Sequence, residues 1–171
     1  MVGRQFLNRA QWLAALVPLR RRVGKLASLS FEDWCIFSEG IATIPMVSVA
    51  LLVLGFPTVT SWAIRGRRVP PPSLPRESIE RMAWLAGAPG RLLGLSCLTI
   101  SLAVARLLSR RGITTELRIG VRPENGKLQA HAWLEWRGGV VNDNAASLQS
   151  FAVLHRGMGT NSNVGVRSSA K

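Results

Sequence analysis

Three side chains in this sequence could share one covalent reaction: Cys97, His131 and Asp143. The set stands out because the supply is short. Among 171 residues there are two cysteines, two histidines and, as aspartates, only Asp33 and Asp143. A thiol attacks a carbonyl carbon once an imidazole takes its proton. A carboxylate on the other imidazole nitrogen fixes the tautomer and the ring orientation. Taken singly, each residue has an ordinary alternative, since a cysteine packs as a small hydrophobe and a lone histidine usually serves structure. Their joint order and placement favour chemistry.

The stretch "LQAHAWLEW", residues 128–136, alternates as a half-buried strand does. Leu128, Ala130, Ala132, Leu134 and Trp136 fall on one face, and Gln129, His131, Trp133 and Glu135 on the other. A following strand over 139–143, "GVVND", makes a hairpin. With a three-residue loop of Trp136, Arg137 and Gly138, Gly138 takes the left-handed position and His131 faces Asp143 on one side of the sheet. A two-residue loop would put them on opposite faces, so the catalytic reading requires the longer loop. Trp133 and Glu135 share the His131 face and are candidate substrate-binding residues.

Cys97 must be carried by "GLSCLTISLAVARLLSRRGI", which predicts a helix over 97–111 with Ser96 as N-cap and Gly112 as C-cap. Arg110 and Arg111 complement its C-terminal dipole. Apolar residues cover most of its circumference, as in a buried helix. The first turn of such a helix favours an anion, whether a thiolate or a developing oxyanion.

The remaining elements frame this pair. Residues 5–30 read as basic amphipathic helices. "SLSFEDWCIFSEG" starts a helix capped by Ser30. Residues 41–64 carry no charge and are long enough to span a bilayer, but Pro45, Gly55 and Pro57 interrupt them, which favours a buried or membrane-surface helical hairpin. "RGRRVPPPSLP", residues 65–75, is a stiff linker. A short helix from Glu77 to Leu85 ends at "GAPG". Strands follow over 114–122, 127–136 and 139–143, with a fourth over 151–155, and "PENG" turns between the first two. The tail from Gly157 is polar. The expected organisation is an apolar and basic helical region over 1–75, a catalytic core over 76–156 and a disordered tail over 157–171.

A net charge of +13 points to an anionic partner or membrane surface. A nucleic-acid platform is not expected, because the basic residues are not interleaved with aromatics on a strand. Cys35 and Cys97 form no CxxC pair and no zinc-ligand spacing appears, so neither a metal nor a cofactor is expected. Cys35 reads as a packed thiol and His155 as an edge imidazole. The opening residues do not read as a secretory signal, so the cytoplasm is the expected compartment, with docking on the inner face of the membrane.

A helix-borne cysteine followed by strand-borne histidine and aspartate is the order of transglutaminase and papain-like hydrolases. "SCLTISLAVARLLSRRGITTELRIGV" and "AHAWLEWRGGVVND" together resemble the transglutaminase-like cysteine protease domain of lasso-peptide biosynthesis, the B protein or leader peptidase. The resemblance rests on a Cys opening a helix, "RRGI" closing it, "IGV", "HAWxE", and an Asp 12 residues after the His. It covers about residues 90–155. It implies an α+β fold in which a Cys-bearing buried helix packs on a small antiparallel sheet, preceded by apolar helices. It implies Cys97 as nucleophile, His131 as base and acid, and Asp143 as orienter. The implied substrate is a ribosomally made precursor peptide, cut between leader and core before an ATP-dependent asparagine-synthetase-like cyclase closes the ring. A separate leader-recognition protein is the implied partner, since residues 1–70 do not resemble such a module. "GLSC" departs from the pattern by lacking an Arg or Trp ahead of the cysteine. Two alternatives remain: acyl transfer to an amine on the same fold, and a non-catalytic membrane-associated adaptor of a peptide-modifying complex.

Overall fold

The computed structural model describes residues 29–65, 73–124 and 126–156. The expected basic helices over 5–30, save their last two residues, most of the linker, the tail from Gly157 and the side chain of His155 lie outside the described residues.

Helix α1 spans Phe31–Leu54. Its start is a reciprocal cap: the Asp33 N–H donates to Ser30 Oγ at 3.2 Å and the Ser30 N–H to Asp33 Oδ2 at 2.9 Å. It ends at Gly55, whose φ of 75° is left-handed backbone that a side chain disfavours. Helix α2, Phe56–Ile64, follows at once. The uncharged stretch is therefore two helices broken at Gly55.

Helix α3, Arg76–Leu92, outruns its expected end at Leu85. "GAPG" is a packing face here and not a stop. Ala83, Ala86, Gly87, Ala88, Pro89 and Gly90 are all buried. A Cβ on Gly90 would stand 2.7 Å from Ile100 and 3.2 Å from Ile44. A Cβ on Gly40 of α1 would stand closer still, against the backbone of Ala86. Close burial against two neighbouring helices outweighs the poor helix propensity of glycine.

Helix α4 spans Cys97–Arg110, near the expected bounds. The Thr99 N–H donates to Ser96 Oγ at 3.2 Å, as the N-cap reading requires. At the other end Gly112, at φ 78°, closes a Schellman motif: the Ile113 N–H reaches the Leu108 carbonyl at 3.0 Å and the Gly112 N–H reaches Ser109 at 3.1 Å. Ile113 is buried there. An Arg111–Glu39 ion pair, 2.8 Å, ties this end to α1.

Four antiparallel strands follow, in the order β3-β2-β1-β4. They are β1 Glu116–Glu124, β2 Lys127–Trp136, β3 Gly139–Val140 and β4 Ala152–Arg156, with a one-turn helix α5, Ala145–Leu148, before β4. The fold is thus α+β, as expected, with α4 buried between helices and sheet. Its core joins Leu102, Leu107 and Leu108 of α4 to Leu117, Ala132 and Leu134 of the sheet and to Ile44, Val47, Val59 and Ala63. Aliphatic residues on both sides of the expected boundary at 65–75 thus bury one another in this core. By contacts the chain divides between Cys35 and Ile36.

Candidate active site

Cys97 is the first residue of α4 and half-buried. His131 lies within β2 and Asp143 three residues past the end of β3. All three line one cleft of about 930 Å³. His131 Nε2 is 2.6 Å from Asp143 Oδ2. An ionised carboxylate only accepts, so Nε2 carries the proton and Nδ1 is left unprotonated in the neutral ring. The second carboxylate oxygen, Oδ1, accepts the Asn144 N–H at 2.7 Å.

The pair forms by a different route from the one expected. The hairpin pairs Trp136 with Gly139 and Glu135 with Val140, so its loop has two residues, Arg137 and Gly138. Both have positive φ, 47° and 77°, the backbone of a type I′ turn, whose twist suits the flanking strands. Extended through 143, this register would put Asp143 opposite Ala132, on the wrong face for His131. The strand does not extend. β3 stops at Val140, the chain bends through Val141–Asp143, and the carboxylate swings to the imidazole.

The same early stop leaves β2 without a strand partner beside Ala132, and His131 and Ala132 both line the cleft. Behind the imidazole stand two aromatic rings, Trp133 with centroids 6.4 Å apart and Phe151 with centroids 5.5 Å apart. Gly120, opposite His131, makes room for them, since a Cβ there would meet Trp133 at 2.9 Å and Phe151 at 3.0 Å.

Trp133 and Glu135 are not among the cleft-lining residues. Trp133 is buried and donates its indole N–H to Glu135 at 3.1 Å. Glu135 also receives Arg118 Nε at 2.9 Å. On that face Arg118, the β1 neighbour of Trp133, and the Phe151 ring pack beside these two side chains. The facing wall comes from α3, which contributes Arg76, Glu80, Trp84 and Arg91. Arg76 donates to Glu80 at 2.6 Å and to the Val140 carbonyl at 3.0 Å, so it pins β3 to α3. Arg91 donates to the Trp84 carbonyl and lies 5.5 Å from that ring's centroid. Desolvation pushes the Arg91 pKa down, and the Asp143 charge pulls it partly back. Of this wall only Arg91 lies beyond the expected helix end at Leu85; Arg76, Glu80 and Trp84 were missed because no local signal marks which side of α3 meets the cleft.

Two residues near the triad candidates were also missed. Asn142 Oδ1 accepts the Leu134 N–H at 2.8 Å, and Asn142 Nδ2 donates to Ser101 Oγ at 2.9 Å. Ser101 Oγ in turn donates to the Ala132 carbonyl at 3.0 Å. A serine inside an apolar helix and an asparagine at a strand end were the available signals. Among the described residues no cluster of His, Cys, Asp and Glu could hold a metal ion.

A family profile described as the transglutaminase-like superfamily matches residues 44–156, about two thirds of the chain. No curated protein and no solved structure matches the chain.

Proposed function

Because the chain belongs to the transglutaminase-like superfamily, which usually contains Cys-His-Asp proteases and transferases, we propose that it is a cysteine endopeptidase that removes the leader from a lasso-peptide precursor. The observation that carries the reading is the 2.6 Å contact between His131 and Asp143 in the cleft that Cys97 also lines. The helix-strand-bend order of the three residues, with the "HAW" and "RRGI" motifs around them, supports the narrower substrate.

In this reading Cys97 Sγ bonds to the scissile carbonyl carbon as its proton passes to His131 Nδ1. Asp143 stabilises the imidazolium through Nε2–H. The C–N bond then breaks, the leaving amine takes the proton from Nδ1, and a thioester remains. Water attacks the thioester with His131 as base, which frees the leader acid and restores the thiol. The Ser96 cap occupies the Thr99 N–H, and the Ser96 carbonyl occupies that of Ile100. The N–H groups of Cys97 and Leu98 are then the first-turn donors left to hold the oxyanion.

The partners in this proposal are the precursor, a separate leader-recognition protein and an ATP-dependent cyclase that joins the freed amine to a side-chain carboxylate. The compartment is the cytoplasm, with α1 resting on the inner membrane face. α1 has 24 residues, mean hydropathy 1.9 over its most apolar window, and only 22% of that window buried. Ile41, Val49, Leu52 and Val53 present that apolar surface.

The test is mass spectrometry of a candidate precursor incubated with the protein and its recognition partner. Cleavage is expected with the wild type and with Cys35→Ala, and none with Cys97→Ala or His131→Ala. Undiminished cleavage by Cys97→Ala would refute the mechanism. A precursor bound but left whole by the wild type would give the adaptor reading precedence.

A further inference from the structure

A two-residue turn places Trp136 and Gly139 as a hydrogen-bonded pair, so Leu134 and Ala132 also direct their N–H and C=O groups toward β3. β3 is too short to meet them. Half of the Leu134 pair forms, as the Val141 N–H donates to the Leu134 carbonyl at 3.0 Å. Three ladder groups are then left without a β3 partner: the Leu134 N–H and both backbone groups of Ala132. Side chains meet two of them, the Leu134 N–H and the Ala132 carbonyl. Asn142 Oδ1 stands in for a strand carbonyl at Leu134, 2.8 Å away, and Ser101 Oγ–H stands in for a strand N–H at Ala132, 3.0 Å away. The Asn142 Nδ2–Ser101 Oγ bond, 2.9 Å, joins the two substitutes. Every donor in this relay meets an acceptor, as buried polar groups require.

The relay touches each element that carries a proposed triad member. Ser101 is four residues after Cys97 on the same face of α4, and it is 1% exposed. Ala132 adjoins His131. Asn142 adjoins Asp143. By closing the ladder with side chains, the relay releases residue 143 from strand pairing with Ala132 and lets it bend to the imidazole.

We propose that Ser101 and Asn142 are positioning residues that hold the Asp143–His131 pair in line with Cys97. The proposal rests on the cysteine-peptidase reading for its consequence in catalysis, but its geometric content can be tested apart from it. The first measurement is the low-field proton NMR signal of the His131 ring N–H donated to Asp143, assigned by its loss in His131→Ala. Ser101→Ala and Asn142→Ala should each lose or broaden that signal while circular dichroism keeps the helix and sheet content. Ser101→Thr retains the hydroxyl and should restore it. The second measurement is cleavage kinetics. Both alanine variants should lower kcat by at least about tenfold with KM changed less than about twofold, the split that marks loss of transition-state alignment.

Retention of the signal and of kcat in both alanine variants, with the fold intact, would overturn the proposal, as would a wild-type spectrum that lacks the signal. If Asn142→Ala does not fold, Ser101→Ala decides, since it removes one hydroxyl only. Loss of the signal in the variants of a wild type that cleaves no precursor upholds the positioning role and counts against the peptidase. Cleavage by variants that keep the signal does the reverse.

Discussion

Asp143→Ala is the substitution whose cost can be worked from the geometry. It deletes two hydrogen bonds, the 2.7 Å bond that Oδ1 accepts from the Asn144 N–H and the 2.6 Å bond to His131 Nε2, and only the second bears on the imidazole. A charge-assisted hydrogen bond contributes about 1.5–3 kcal/mol. The two side chains are 28% and 32% exposed, so water competes for both, and the lower half of that range applies. Taking about 2 kcal/mol, at about 1.4 kcal/mol per decade, kcat falls about thirtyfold. KM should hardly move, because the carboxylate acts through the imidazole and not on the peptide. Stability should change by less than about 1 kcal/mol, as expected for a pair this open to solvent. The assay is a time course of precursor cleavage at saturating substrate, with thermal denaturation run alongside. An unchanged kcat in a folded Asp143→Ala protein would refute the orienting role. A rise in KM with constant kcat would assign Asp143 to substrate binding instead.

Other substitutions test the supporting structure. Gly138→Ala places a side chain at φ 77° with open space around it, so backbone strain alone should cost about 1 kcal/mol and lower Tm by about 3 °C in thermal melts. Gly90→Val would drive its Cβ into Ile100, 2.7 Å away, and should destabilise by about 2–3 kcal/mol, measured by urea denaturation. Ser96→Ala removes the cap on Thr99 and should cost about 1 kcal/mol by the same measurement.

How far this protein can be read from its sequence varied with the range of the interactions involved. Helix α4 was legible at both ends because Ser96 and Gly112 act within a turn of their own backbone. So were the identities of β1 and β2, whose alternation is local. The hairpin loop was not. "WRGG" admits two or three residues, and Arg137 at positive φ is a choice made by strand twist, with no residue-type signal to mark it. The approach of Asp143 to His131 was anticipated, but its cause lay in Asn142 and Ser101, which are 41 residues apart and meet only through tertiary packing. α3 was cut short because glycine and proline were weighed as helix breakers. The value of the glycines is in their small volume, which is visible only once Ile44 and Ile100 stand against them.

That contact has a further consequence for the cleft. Trp84 and Arg91 project from α3 and Cys97 from α4, and Ile100 both lines the space between and bears on Gly87 and Gly90. Ile100 is therefore a spacer whose bulk sets how far apart the two jaws stand. A smaller residue there would let them close and a larger one would prop them open. The width of the cleft is thus tied to one aliphatic side chain that is at once part of its lining and the stop between its walls.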